Sequence, residues 1–223
     1  MKQSFRSCRN LPLENAMPDT MPDLLETDFI ALRKIPYSEH AIIYSGISPD
    51  YGRIGFLVPG AQGGYKRAFP ELELFRLVHL QFIMGSGELC RIKTVELLEN
   101  FDELTQSYAR YEAANWIAAF CALNLMPMLP HPHFANAVEV ALRRLAKEQL
   151  LPEAILTGVC LAFIFEEGWL SSAIQTPEAS EQCKILLEMA AGNPPPTLTD
   201  ESWRQQFDWC RQLLLYNDCK LPE

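Results

Sequence analysis

The sequence predicts an α+β protein, with an N-terminal five-stranded β-barrel of the OB type followed by an all-helical domain. Three observations lead there. Between Phe29 and Leu98, five short apolar runs rich in Ile, Val, Phe and Tyr are punctuated by Pro, Gly, Ser and Asp. From Phe101 onward the apolar spacing changes from two residues to about 3.6. The chain of 223 residues, 48% hydrophobic, is long and apolar enough to bury a substantial core.

Each strand has its own boundaries. Phe29 to Leu32 ends before Pro36-Tyr37-Ser38, Ala41 to Ile47 before Pro49-Asp50-Tyr51-Gly52, and Ile54 to Val58 before Pro59-Gly60. After the loop AQGGYKRAFP a longer run covers Leu72 to Met84. The turn Gly85-Ser86-Gly87 then leads into Leu89 to Leu98. Strict alternation in this last strand sets Leu89, Arg91, Lys93 and Val95 against Cys90, Ile92, Thr94 and Glu96, which predicts Arg91 and Lys93 on one face. Five strands in about seventy residues suit a small closed barrel. The barrel is assigned to 27–100 and the helical domain to 101–223. Residues 1–26, interrupted by Pro12, Pro18 and Pro22, are read as a poorly ordered extension without the apolar run of a secretory signal.

In the helical part, Asn100 followed by Glu103 resembles a capping pattern. The first helix is expected from Thr105 to Leu125, with Tyr108, Tyr111, Ala114, Trp116, Ala119, Phe120 and Leu123 on its apolar surface. Pro127 and Pro130 end it. A second helix, Pro132 to Leu150, turns Phe134, Ala137, Val138, Ala141, Leu142 and Leu145 inward. A third, from Pro152 to about Gly168, is apolar almost all round and so central, with Ile155, Val159, Leu161, Ala162 and Phe165 buried. A fourth runs from Pro177 to Ala191, before Gly192-Asn193-Pro194-Pro195-Pro196. A fifth starts at Thr199 or Asp200 and ends near Tyr216.

Charge is unevenly distributed. Of the net −9, residues 101–223 contribute −8, residues 27–100 are neutral, and residues 1–26 contribute −1. Tight nucleic-acid binders are usually basic, so an acidic helical part points toward protein partners, while a neutral barrel can still carry one basic face. Seven cysteines, odd in number and without a CxxC pair, suit a reducing compartment and read as small buried residues. No run of eighteen apolar residues spans a membrane.

Arg33, Lys34, Arg53, Lys66, Arg67, Arg91 and Lys93, interleaved with Tyr37 and Tyr65, make the candidate nucleic-acid surface. Cations along a groove neutralise phosphates, and aromatic faces stack unpaired bases at about 1–3 kcal/mol each. The plain alternative is that they are solvated barrel residues, some paired with Glu39, Glu71, Glu73 and Glu88. Arg143, Arg144 and Lys147 form a basic stripe that could hold a partner's acidic tail, against the plainer reading of a solvated helix face. His131 and His133, without further ligands nearby in sequence, read as a loop entering a helix rather than a metal site. No nucleophile, phosphate loop or carboxylate pair stands at a telling spacing, so no catalytic role and no cofactor is expected.

Several stretches, in order, resemble the RecO family of bacterial recombination mediators. They are ALRKIPYSEHAII (31–43), YGRIGFLVPGA (51–61), Leu72 to Phe75, GSGELCRIKTVELLENF (85–101), and LLEMAAGNPPP with WRQQFDWCRQLLLYNDCKLP near the end. Two features depart from the family pattern. Gly168-Trp169-Leu170 runs straight into SSAIQTPEAS without the four-cysteine zinc module of many members, and the loop after Gly60-Ala61 carries only Lys66 and Arg67. The resemblance implies an OB barrel that binds single-stranded and duplex DNA, anneals strands and helps load recombinase on DNA coated by single-stranded DNA binding protein. It implies a RecR-like partner, the tail of single-stranded DNA binding protein on the helical domain, and a bacterial, cytoplasmic, nucleoid-associated location. The alternative is a non-catalytic adaptor that keeps this architecture without DNA binding. Convergence of the seven cations on one barrel face favours the first reading; dispersion would sink it.

Overall fold

A computed structural model of the chain describes residues 23–60, 69–85, 87–148 and 150–222. The expected extension falls outside the described residues up to position 22, and β1 begins at Leu25, inside its expected limit. The strands are β1 (Leu25–Pro36), β2 (Ala41–Ser48), β3 (Gly52–Pro59), β4 (Arg76–Ile83) and β5 (Leu89–Asn100). They close in the order β1-β2-β3-β5-β4, antiparallel except for the short β3–β5 seam of Gly55 opposite Leu89 and Phe56 opposite Cys90. Closure leaves the barrel no free sheet edge.

Two faces of the barrel are apolar. Inside, Phe29, Tyr44, Ile54, Phe56, Val78, Leu80 and Phe82 pack together, with Phe56 edge-on to Phe29 and Phe82 at 5.0 and 5.3 Å between ring centres. Outside, Ile30, Leu32, Ile47, Phe75 and Leu77 join a second core made mainly by the helices. Strand alternation alone gives this two-sided burial, Phe29 and Ala31 facing in and Ile30 and Leu32 out, and a bulge follows between Ala31 and Arg33. Opposite it only glycine fits at position 46, because a Cβ there would come 1.9 Å from the carbonyl oxygen of Ile30.

The fourth strand is shorter than its apolar run suggests. Phe75 has φ 55°, and the chain turns there before entering β4 at Arg76. β5 extends through Asn100, so this residue is no helix cap. A 3-10 turn follows at Asp102–Gln106, and α1 (Tyr108–Asn124) starts after Ser107. Its buried face is Ala113, Ala114, Ile117, Ala118, Phe120 and Cys121, which leaves Tyr108 in solvent and corrects the expected apolar surface.

The remaining helices lie close to expectation: α2 (Pro132–Lys147), α3 (Pro152–Glu166), a four-residue α4 (Leu170–Ala173), α5 (Pro177–Ala190) and α6 (Asp200–Tyr216). The short α4 carries no helical periodicity long enough to read. Proline occupies the first turn of α2, α3 and α5, where a missing N–H costs nothing. Thr176 and Thr199 accept from the N–H groups of Ala179 and Ser202 as N-caps. The Glu166 carboxylate, at the end of α3, accepts from the N–H groups of Phe134 and His133 and so caps α2 from another helix. Buried along Ala154 to Ile164, α3 packs against α2, α5 and α6, although Phe165 is exposed.

Barrel and helices meet tightly. The β2–β3 turn presses on the chain after α1: Met128 N–H donates to the carbonyl oxygen of Arg53 at 3.0 Å. A Cβ on Gly52, whose φ is +62°, would come 1.8 Å from the carbonyl oxygen of Leu129. No helix among the described residues is long and apolar enough to cross a membrane.

Candidate nucleic-acid interface

The described candidate cations of the barrel fall in three places. Arg33 lies opposite Ser45 on β2, and Arg53 lies opposite Ile47, so both project from the outer surface of β1–β2–β3. They line one crevice against Ala118, Cys121 and Ala122 of α1. Neither has an ion-pair partner among the described residues. The Arg53 Nε is buried and makes no hydrogen bond. A buried donor without a partner costs about 1–3 kcal/mol.

Lys34, the next residue after Arg33, points the other way. It sits opposite Tyr44, 5.5 Å from that ring's centre, and donates to Glu73 at 2.8 Å. Burial works against its charge, but the bonds to Glu73 and Tyr44 outweigh burial and hold its pKa above the ordinary value. Tyr37, 62% exposed, stands beyond β1 in the turn to β2. Tyr65, Lys66 and Arg67 lie outside the described residues.

Arg91 and Lys93 occupy the start of β5, at the far end of that strand from Asn100. Cys90 and Ile92 pack toward the barrel interior while Arg91 and Lys93 face outward, and the alternation breaks only after Lys93. Arg91 pairs with Ile83 and Ile92 with Phe82, but Gln81 then faces Thr94, leaving Lys93 as the extra residue of a bulge. Both remain exposed and outside the described ion pairs. Among the described candidate cations, Arg33 and Arg53 share one crevice, Arg91 and Lys93 lie together at the start of β5, and Lys34 is tied to Glu73.

Next to them on the sheet is an acidic row that sequence reasoning missed. Asp28 faces His79, Glu26 faces Gln81, and Glu96 lies across from His79. The imidazole Nδ1 of His79 is 2.8 Å from Asp28. That hydrogen bond, with Glu26 and Glu96 nearby, raises the His79 pKa above 6.5. Cross-strand register was the signal, and it becomes readable only once the pairing is known.

The α2 basic set also divides. Arg143 donates to Glu99 at 2.8 Å and to Glu139 at 2.7 Å, while Lys147 donates to Glu99 at 2.5 Å. The bond from Arg143, with Lys147 adding to it, holds the Glu99 carboxyl below its ordinary value. Arg144 is 6% exposed and bonds to the carbonyl oxygen of Asn193, behind α5. The three therefore do not share one face. His131, at the head of α2, is buried between the Leu129 carbonyl and Glu167, each 2.9 Å away. No group of His, Cys, Asp and Glu among the described residues could hold a metal ion.

Residues 21–101 match the family model described as recombination protein O N terminal. The matched stretch contains all five strands and stops where the helical part begins. No curated protein matches the chain. The closed barrel agrees with that match, so residues 21–101 are similar in sequence and in architecture to the N-terminal domain of recombination protein O.

Proposed function

We propose that the chain is a non-catalytic mediator of DNA repair and recombination that holds single-stranded and duplex DNA on its barrel without reading sequence. The observation that carries this reading is the pairing of Arg33 and Arg53, two arginines without carboxylate partners among the described residues, at one crevice of a RecO N-terminal barrel. Their guanidiniums would take phosphates in a bidentate manner. Base pairing between held strands would supply specificity, which is what annealing and recombinase loading require. Lys66 and Arg67, with Tyr65, would extend the phosphate path, and Arg91 and Lys93 would form a second, separate contact. Lys34 contributes less, because Glu73 already neutralises it.

A RecR-like protein and the acidic tail of single-stranded DNA binding protein are the proposed partners. At Arg143 and Lys147 such a tail would compete with Glu99 for the same donors. A second reading, a protein adaptor without DNA binding, is favoured by the acidic row Glu26, Asp28 and Glu96 on the barrel's outer surface.

Binding of a labelled single-stranded oligonucleotide at low and moderate salt separates the two. The mediator reading expects binding that weakens with salt, falls by about tenfold in Arg33→Ala/Arg53→Ala, and falls again in Lys66→Ala/Arg67→Ala. Absence of binding at low salt in a folded protein overturns it in favour of the adaptor.

A further inference from the structure

A second surface lies far along the chain from the barrel and carries the opposite charge. On α5, Glu178, Glu181, Gln182, Ile185 and Leu186 follow one another at helical spacing on one face. Pro196 and Leu198, from the connection to α6, stand opposite and turn that face into a groove of about 450 Å³. Its floor is apolar: Leu186 is buried, while Ile185 remains 41% exposed, so the chain's own described residues leave the groove open. Pro194, Pro195 and Pro196 stiffen the opposite wall.

The charges at the mouth select the occupant. Glu178 and Glu181 are exposed, neither has an ion-pair partner among the described residues, and no basic residue lines the groove. Carboxylates here repel phosphate backbones and acidic peptides alike. No polar group lies in the floor to orient a small molecule. An apolar trough with an unneutralised acidic rim fits a protein segment with apolar anchors at helical spacing, flanked by Lys or Arg. We propose that the groove between α5 and the Pro196–Leu198 wall docks a basic, apolar-anchored segment of a partner protein. This surface is independent of the barrel's DNA reading and of the proposed acidic-tail contact on α2.

The test is selection of a displayed random peptide library on the full chain, with counter-selection on Ile185→Asp. Because Ile185 is half in solvent, that variant should fold, and circular dichroism checks that it does. The expected result is enrichment of Lys- or Arg-rich peptides with apolar residues three or four apart. Their affinity should fall about tenfold or more in Ile185→Asp, which removes the buried anchor contact. It should fall about fivefold in Glu178→Lys/Glu181→Lys, which reverses the rim. Enrichment of acidic or uncharged peptides, binding indifferent to both variants, or no enrichment that depends on Ile185 would overturn the proposal.

Discussion

Gly46 shows how a single residue can hold two parts of the molecule together. Where β1 runs past β2, the Ile30 carbonyl oxygen comes within 1.9 Å of where a Cβ on residue 46 would lie. Gly46→Ala should therefore cost about 1–3 kcal/mol, read as a lower denaturation midpoint with an unchanged denaturant slope. His79 gives the second residue-level expectation. Its folded pKa is raised, so the protonated imidazole between Asp28 and Glu26 favours the native state. That contribution is complete below pH 6.5 and is lost as pH rises through the folded value. Thermal midpoints measured from about pH 6 to 9 should show this loss in the native chain and lack it in Asp28→Asn. At this scale the sequence conveyed little. Asp28 and His79 are 51 positions apart, and only the β1–β4 register makes them neighbours.

Elements were more readable than their contacts. The Pro and Thr signals placed α2, α3, α5 and α6 within a few residues, because local geometry alone decides where those helices start. All six residues expected to turn inward from α2 are buried. Periodicity was less informative where a strand is bulged: one extra residue at Lys93 reset the alternation of β5, and nothing in the residue types announced it. The basic stripe of α2 failed as a unit because Arg143 and Arg144 are adjacent and so point about 100° apart around the helix, while Lys147, four on from Arg143, keeps its face. Arg143 and Lys147 grip Glu99 at the end of β5, whereas Arg144 turns toward Asn193. This clamp predicts a pH effect. Glu99 has a depressed folded pKa, so its contribution is present above pH 4.5 and lost as pH falls through the folded value. Glu99→Gln should lower stability by about 1 kcal/mol at neutral pH, given how far Arg143 and Lys147 reach into solvent, and should have little effect near pH 3. Chemical denaturation at the two pH values checks both halves.

Across the whole molecule, the two-part architecture was legible because the apolar period switches at Phe101. The joining of the parts was not, because strand patterning marks a residue as apolar without saying which core receives it. Ile30, Leu32, Ile47 and Leu77 look like ordinary barrel residues, yet they pack with Ala114, Ile117 and Phe134 in the helical core. A shared core of this kind predicts one cooperative unfolding transition, with calorimetric and van't Hoff enthalpies in agreement. Two resolved transitions would show that the barrel folds by itself. The cysteines behave consistently with a core that excludes water. Burial raises the thiol pKa at Cys121, Cys160 and Cys210, and Cys219, half-buried near Glu167 and Asp218, is pushed up to about 11. Alkylation at neutral pH should be slow at these four thiols and should accelerate only on denaturation, as peptide mass mapping would reveal.

The tight seat of the β2–β3 turn against Leu129 also limits how such proteins can be recombined by design. Gly52 and the Arg53 carbonyl meet backbone that follows α1, not α1 itself. A chimera that takes this barrel onto a foreign helical domain would therefore lose its foothold if the exchange were cut at Phe101. The portable unit is the barrel together with the chain through Pro130.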